Sequence, residues 1–279
     1  MNKFISLVRP LVSRFPKLAM IYRSIRDSWL VDEEPPDTPM GFKMAGSGRI
    51  QAMQEGNFEP EETQIAKKLL PHVDVFINIG ANIGYYCCIA LSYQKYVVAF
   101  EPLALNLRYL LQNIRANNWE SQIEVFALAL SNKVGVIELY GGSTGASIIE
   151  GWPYAWDETT LVPSSTLDNV LGSRFQSDRC LIIVDIEGAE KLMLDGAASW
   201  INRDLRPIWM VEIWVNTEPA LSIFQAFWDS GYEAWTADEQ CRAIQSDEVK
   251  HIVKGGKDTL HTHNFLFIET GKKAELLDT

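Results

Sequence analysis

An apolar strand that runs directly into a turn of small residues constrains this 279-residue chain more than any other feature. Val75–Ile79 is followed by Gly80, by Gly84 and then by the apolar run Tyr85–Leu91, which predicts a buried strand, a tight turn and a buried helix. Because the turn lacks bulky side chains, a ligand can approach its backbone N–H groups at the start of the helix. The pattern therefore predicts a ligand-binding turn.

A second strand supplies the next part of the pattern, about twenty residues further on. Val97–Phe100 is apolar and leads directly into Glu101. A carboxylate at the end of that strand can accept hydrogen bonds from both hydroxyls of a ribose. The two strands together predict a site for a nucleoside cofactor. A nicotinamide dehydrogenase is disfavoured, because the turn does not follow the pattern G-x-G-x-x-G.

The rest of the chain alternates between strand and helix patterns. Strands are expected near 74–79, 96–100, 123–127, 181–185, 208–213, 232–236 and 264–268, and a further short one at 40–45. Helices are expected near 61–70, 84–93, 103–117, 188–195 and 218–229. Repeated βα units predict an α/β fold with a mostly parallel sheet, helices on both faces, and ligands at the carboxyl ends of the strands.

The charge of the chain is uneven. The formal net charge is −11, which argues against general affinity for nucleic acid. Residues 1–30 contain six basic residues and one acidic residue, a local charge of +5, so the remainder carries −16. Apolar residues recur at helical spacing around Ile21 and Ile25, which predicts a basic amphipathic helix. Such a helix could lie on a membrane, but packing on the domain or on a partner subunit in a homo-oligomer is commoner.

The cysteines and the N-terminal segment indicate in which cellular compartment the protein is expected. Cys87, Cys88, Cys180 and Cys241 show no paired spacing, and three of them lie in apolar runs, which fits a reducing compartment. The N-terminal stretch lacks a small-residue cleavage site and is a poor secretory signal. A cytoplasmic protein is expected.

Several segments in a fixed order resemble one enzyme family. They read INIGANIGYY (77–86), AFEPLALNLRYLLQNIRAN (99–117), ALALSNKVGVIELY (127–140), STLDNVL (165–171) and VDIEGAEKLMLDGA (184–197). GNFEPEE (56–62) and HNFLFI (263–268) also fall where the family has similar segments. Over residues 40–270 the chain resembles the FkbM family of S-adenosylmethionine-dependent methyltransferases. The resemblance implies a Rossmann-like class I methyltransferase fold, whose seven-stranded sheet has its last strand inserted antiparallel.

The resemblance also implies where S-adenosylmethionine binds. Glu101 would take the ribose hydroxyls, in agreement with the residue-level argument. The methionine and ribose side would be lined by Asn78, Gly80, Ala81, Asn82 and Gly84, and the adenine would be approached by Leu103, Leu128, Ala129 and Leu130. The family usually has Asp where this chain has Asn78. A neutral amide loses a charge near the ammonium group of the cofactor, so a lower affinity is expected.

A second cluster carries the chemistry. Asp185 ends one predicted strand and Glu212 lies at the end of the next, so both carboxylates reach the same edge of the sheet. The two carboxylates could take a proton from the hydroxyl group of the methyl acceptor, or they could bind a divalent cation such as Mg²⁺. Asp185 is also expected next to the cofactor. Glu187 is expected on the acceptor side. The alternative is that such carboxylates cap helices or pair with lysines.

Two histidines and a group of aromatic residues complete the candidates. His261 and His263 precede the final strand, whose start meets the active-site edge, so either imidazole could accept a proton. The aromatic residues that could hold the acceptor or form a lid, or simply pack on the sheet, are Trp152, Tyr154, Trp156 and Trp214.

The leading hypothesis is an enzyme that methylates an oxygen of a small molecule, such as the hydroxyl of a sugar or of a polyketide-like compound. The alternatives are N-methylation of a peptide or amino sugar, and an inactive scaffold that binds nucleoside without turnover. The expected organisation is a helical leader (1–34), a cofactor-proximal segment (35–73), a catalytic domain (74–270) and a C-terminal tail (271–279).

Overall fold

The computed structural model describes residues 34–46, 50–142, 145–153 and 159–277. The predicted basic leader lies outside these residues except for Glu34. Within the described ranges no helix is long and apolar enough to cross a bilayer.

The strands of the main sheet are β1 (Val75–Ile79), β2 (Tyr96–Phe100), β3 (Ile123–Phe126), β7 (Cys180–Val184), β8 (Ile208–Glu212), β9 (Tyr232–Thr236) and β10 (Asn264–Glu269). These seven strands lie in the order β3-β2-β1-β7-β8-β10-β9. The five strands from β3 to β8 pair in parallel, and β10 is antiparallel to both β8 and β9. The predicted sheet, with its antiparallel last strand, is therefore confirmed.

A second sheet lies between β3 and β7 in sequence and was not predicted. It contains β4 (Ala129–Leu130), β5 (Gly135–Tyr140) and β6 (Thr159–Ser165), in the order β4-β6-β5. Its inner residues Ala129, Leu139 and Val162 form a small core of their own, whereas the outer face is exposed. Most residues of β5 and β6 are exposed, so apolar and polar residues do not alternate regularly along these strands. For this reason the hydrophobic pattern did not predict them.

The helices cover both faces of the main sheet. They are α1 (Ile50–Glu55), α2 (Pro60–Leu69), α3 (Tyr85–Ser92), α4 (Ala104–Ala116), α5 (Leu167–Leu171), α6 (Glu190–Asp195), α7 (Ala198–Ile201), α8 (Ala220–Asp229), α9 (Ser246–Val253) and α10 (Lys273–Leu277). Alternate residues of β1 pack into two separate cores, because successive side chains of a strand point to opposite faces. All five predicted helices are present, within two residues at each end.

The predicted short strand at 40–45 is wrong. Only one isolated bridge, between Asp37 and Lys43, forms in this stretch. The backbone of Lys43 and Ala45 instead exchanges hydrogen bonds with the amide side chains of Asn117 and Asn113 on and after α4. Side-chain amides thus replace a neighbouring strand, which an apolar pattern cannot reveal.

Candidate functional site

A pocket opens at the carboxyl ends of β1, β2 and β7. These three parallel strands end at the same edge of the sheet, and the segments that follow them converge there. The lining residues are Ile79, Gly80, Asn82, Phe100, Glu101, Pro102, Leu103, Asn106, Leu128, Ala129, Leu130, Leu139, Ala146, Ile148, Asp185, Ile186, Glu187 and Ala189. The pocket therefore brings Glu101 of the predicted cofactor site together with Asp185 and Glu187 of the second predicted cluster.

The turn after β1 requires glycine at two positions for different reasons. Gly80 has φ +87°, and a β-carbon there would lie 1.9 Å from the carbonyl oxygen of Asp185. Gly84 has φ +89° and directly precedes α3 as its N-cap, where a β-carbon would lie 2.3 Å from Cδ1 of Leu110. Gly80 thus brings the pocket turn against the end of β7, and Gly84 lets α3 approach α4.

Glu101 is fixed in the pocket wall by three donors. Its Oε2 accepts from the backbone N–H of Asn82 at 2.7 Å, and its Oε1 accepts from the N–H of Leu103 at 2.9 Å and from Nδ2 of Asn106 at 3.2 Å. The side chain is buried, and burial raises its pKa to about 7. Each carboxylate oxygen can accept more than one hydrogen bond, so Glu101 can still receive ribose hydroxyls. The role of Asn106 was not predicted.

The apolar end of the pocket has the composition predicted for an adenine site. Leu103 and the segment 128–130 both line it, as the resemblance implies. Three further lining residues, Leu139, Ala146 and Ile148, come from β5 of the second sheet and from the segment between β5 and β6. No motif identified these three, because their contribution depends on how the second sheet packs.

Three predicted cofactor residues, Asn78, Ala81 and Gly84, do not line the pocket. The Asn78 side chain is buried in the sheet, and its Nδ2 donates to Sγ of Cys87 on α3 at 3.6 Å. Ala81 donates its backbone N–H to the carbonyl oxygen of Phe100. These residues shape the turn from behind, and their direct contact with a cofactor stays a prediction.

Asp185 and Glu212 meet at the carboxyl edge. Val184 pairs with Val211 in the sheet, so the next residue of each chain segment projects from the same face. The two carboxyl groups are in hydrogen-bond contact. Burial raises both pKa values, that of Glu212 to about 7. The hydrogen bond between the two groups raises the pKa of Asp185 further but lowers that of Glu212, whereas the charge of Glu187 raises both. The predicted convergence of these two residues is thus observed.

The turn after β7 is held from inside by a residue that the sequence analysis missed. Glu187 and Gly188 both have positive φ, 55° and 92°. Glu190 accepts from the N–H groups of Gly188 at 3.1 Å and Ile186 at 3.4 Å, and burial raises its pKa to about 8. The sequence singles out Glu190 only by its place in the segment 184–197. A glutamate at the start of a helix is common, because it interacts favourably with the helix dipole, so its residue type does not indicate a special role.

Trp152 covers the same turn from outside. Its Nε1 donates to Oε2 of Glu187 at 2.9 Å, and its ring lies where a β-carbon on Gly188 would come within 2.4 Å. Ser147 donates its hydroxyl to the carbonyl oxygen of Glu187 at 2.6 Å. Trp152 also contacts Trp214 edge to face, with ring centroids 5.9 Å apart. The other predicted aromatic residues, Tyr154 and Trp156, lie outside the described residues.

The two candidate histidines differ in their surroundings. The His263 ring stacks on Trp214 at 4.4 Å, and its Nδ1 is buried with no hydrogen-bond partner among the described residues. His261 is exposed, with φ 55°. Neither borders the pocket. Their predicted role as bases stays a prediction.

The described His, Cys, Asp and Glu side chains were compared with the predicted metal site. Across the described ranges, no group of three or more His, Cys, Asp or Glu side chains is placed to hold a metal ion. Asp185 and Glu212 provide two carboxyl groups that are in contact with each other. A role for Mg²⁺ therefore stays a prediction.

Comparison with known proteins gives one strong match. The model of the methyltransferase FkbM domain matches residues 78–234. No curated protein matches the chain. Similar solved structures include precorrin-6y C5,15-methyltransferase from Geobacter metallireducens GS-15, at 12% identity, TM-score 0.42, and coverage of 84% of this chain and 100% of that one. Another is cofactor-bound Rv0187 from MTB, at 13% identity, TM-score 0.41, and coverage of 95% and 94%. These likenesses are loose, and the fold assignment rests on the strand order of the chain itself.

Proposed function

The chain belongs to the FkbM methyltransferase family, and on this premise we propose that it methylates a hydroxyl oxygen of a small, uncharged molecule such as a sugar or a polyketide-like alcohol. Membership of the family makes it an S-adenosylmethionine-dependent methyltransferase. The nature of the acceptor is the proposal. The observation that carries it is the Asp185–Glu212 carboxyl pair beside the cofactor pocket.

The pocket residues fit S-adenosylmethionine. Asn82 Oδ1 is buried and has no hydrogen-bond partner among the described residues, so it can accept from a bound polar group. Gly80 and Glu101 line the same pocket, and the Glu101 carboxylate is the group that would accept the ribose hydroxyls. When bound, the cofactor supplies a methyl group that its sulfonium makes electrophilic.

The carboxyl pair can act as the base. Two carboxyl groups that share a hydrogen bond hold at least one proton between them, and the pair can accept a further proton when one of the groups is ionised. Asp185 lines the pocket and is the member that can reach an acceptor hydroxyl, whereas Glu212 lies behind it. A positioned base of this kind contributes about 10²–10⁴-fold to rate.

The lining supports an uncharged acceptor. No lysine or arginine occurs among the described residues that line the pocket, and three of the lining residues are acidic. Phosphorylated or carboxylated acceptors would be repelled by such a lining. The contact between Trp152 and Trp214 offers an apolar edge nearby, against which a ring can pack.

An amine acceptor is the second candidate. The same acidic lining would attract an ammonium group, which fits N-methylation of an amino sugar or a peptide. A carboxylate base can also take a proton from an ammonium group, so the base does not separate the two candidates.

Incubation with isotopically labelled S-adenosylmethionine and a panel of acceptors tests the proposal. The panel contains neutral sugars and polyols, amino sugars, short peptides and sugar phosphates, and mass spectrometry locates the added methyl group. We expect transfer to an oxygen of a neutral acceptor. Transfer only to nitrogen would favour the second candidate. Cofactor binding without transfer to any acceptor would favour an inactive scaffold.

A further inference from the structure

We infer that Ser147 and Trp152 are positioning residues, which hold Glu187 at the acceptor side of the pocket in the orientation that methyl transfer needs. The inference rests on the proposed function, because it takes this pocket to be the site of transfer. It gives a role to Ser147, which the sequence did not single out, and a further role to Trp152.

Glu187 is a pocket residue with an unfavourable backbone conformation. It lines the pocket two residues after Asp185 and has φ 55°. Residues other than glycine rarely adopt this left-handed conformation, and it persists only where neighbouring groups fix it. Such residues are concentrated at functional sites. The conformation of Glu187 therefore indicates that the direction of its side chain matters for what the pocket binds.

Two side chains of one segment fix Glu187, the first at its backbone and the second at its carboxyl group. Ser147 Oγ donates to the carbonyl oxygen of Glu187 at 2.6 Å, and Trp152 Nε1 donates to Oε2 of Glu187 at 2.9 Å. An indole N–H can only donate a hydrogen bond, so Oε2 must be the oxygen that accepts it. The contact thus sets the direction in which the carboxyl group points.

The two donors are themselves held in place. Ser147 exchanges two backbone hydrogen bonds with Tyr140 of β5, at 2.7 and 3.0 Å. Its Oγ also accepts from the N–H of Ile149 at 3.0 Å, and the backbone N–H of Trp152 donates to the carbonyl oxygen of Ile149 at 3.2 Å. The segment 147–152 is therefore anchored to the second sheet and can hold Glu187 in a fixed direction.

The residues on either side of Ser147 belong to the pocket wall. Ala146 and Ile148 line the apolar end of the pocket, whereas Ser147 between them is buried and reaches Glu187. One segment thus contacts the region predicted for the adenine and also holds Glu187. The position of Glu187 is therefore set relative to the proposed cofactor site.

The order of the strands places Glu187 on the acceptor side. Glu101 follows β2, Gly80 follows β1 and Glu187 follows β7, so the three lie in succession along the carboxyl edge of the sheet. Trp152 contacts Trp214, which follows β8, the next strand beyond β7. Glu187 thus lies between the proposed ribose site and this aromatic pair. Its carboxyl group is placed to accept a hydrogen bond from the methyl acceptor, and a misplacement of about 1 Å can reduce the rate of transfer about 10²-fold.

Trp152→Phe tests the positioning role, because it removes the N–H donor and keeps a ring against Gly188 and Trp214. With the acceptor of the panel that is methylated, we expect kcat/KM to fall about tenfold, while the dissociation constant of S-adenosylmethionine changes by less than about twofold. Trp228→Phe is the matched control, since Trp228 lies on α8, which contributes no lining residue to the pocket. A loss of cofactor affinity as large as the loss of kcat/KM would show that Trp152 only supports the fold, and would overturn the inference.

A double-mutant cycle separates positioning from packing. If Trp152 acts through Glu187, Trp152→Phe should lower kcat/KM about tenfold in the unaltered protein but leave it nearly unchanged when Glu187→Ala is already present. Equal effects in the two backgrounds would mean that Trp152 does not act through Glu187, and would overturn the inference.

A measurement without turnover gives a second test, which does not require Glu187→Ala to fold. In the complex with S-adenosylhomocysteine no methyl group is transferred, and the indole N–H resonance of Trp152 is identified by its loss in Trp152→Phe. Binding of the methyl acceptor should shift this resonance, because the carboxyl group that the indole contacts gains a further hydrogen bond, and the resonance of Trp228 should not move. Absence of a shift at Trp152 would overturn the inference.

The proposed function fails in a different way. Transfer only to nitrogen would contradict the proposed function, and the same variants with that amine would still test the inference. Transfer to an oxygen at a kcat/KM that Trp152→Phe leaves unchanged would overturn the inference alone. Transfer to no acceptor at all would overturn both.

Discussion

The carbonyl oxygen of Asp185 lies 1.9 Å from the point that a β-carbon on Gly80 would occupy. The ligand-binding turn after β1 and the end of the strand that carries the candidate base are therefore in direct backbone contact. This contact is possible only with glycine at position 80. It brings the turn after β1 and the Asp185 carboxyl group into one pocket.

Gly80→Ala should destabilise the protein and abolish cofactor binding. The new β-carbon must move the Asp185 backbone, and φ +87° adds the strain of a left-handed alanine, about 1–2 kcal/mol. Gly41→Ala is the matched control, since Gly41 has φ +86° with nothing within 4 Å. Urea denaturation of both variants measures the difference. Equal losses of stability would show that the contact with Asp185 does not require glycine.

Glu101→Gln should weaken binding of S-adenosylmethionine by about 1–3 kcal/mol, because hydrogen bonds to a charged group are lost. Glutamine keeps the size of the side chain, but its one acceptor oxygen can serve only one of the backbone donors of Asn82 and Leu103, which bind different carboxylate oxygens of Glu101. Calorimetric dissociation constants provide the measurement, with the exposed Glu120→Gln as control. A dissociation constant equal to that of the unaltered protein would reject Glu101 as the ribose ligand.

Asp185→Asn should leave cofactor affinity nearly unchanged but reduce turnover by about 10²-fold or more, since the base that faces the pocket is lost. The measurement is the initial rate with whichever acceptor of the panel is methylated. A parallel assay with a chelator and with added Mg²⁺ separates proton transfer from cation binding. Turnover at the level of the unaltered protein would remove Asp185 from the mechanism.

Glu190→Gln should change how stability depends on pH. Burial raises the pKa of Glu190 from its ordinary 4.5 to about 8. Because the folded value exceeds the unfolded one, the stability it contributes is present below about pH 4.5 and is lost as the pH rises to about 8. The melting temperature of the variant relative to the unaltered protein should therefore rise from pH 5 to pH 8.5. A constant difference across this range would mean that Glu190 is not held neutral.

The strand and helix framework was predictable because it depends on local patterns. Buried parallel strands such as β1 and β7 are short apolar runs, and the carboxylates that end strands, Glu101 and Asp185, fall at one edge of the sheet by topology. The convergence of Asp185 with Glu212 followed from the same reasoning. These predictions needed only the order of the elements along the chain.

The remaining features depend on contacts between segments distant in sequence. The hydrogen bond from the Asn78 amide to Sγ of Cys87 could not be predicted, because a strand by itself does not reveal what its side chains contact on each face. Ser147 and Trp152 gain their roles only because their loop packs on Glu187. The sequence has no period or motif that records such packing.

A crystal structure of the complex with S-adenosylmethionine tests the central claim most directly. The account predicts both ribose hydroxyls within hydrogen-bond distance of the Glu101 carboxylate, the adenine against Leu103 and Leu128, and the sulfur at the Asp185 end of the pocket. A cofactor bound elsewhere, or with its ribose away from Glu101, would contradict the account.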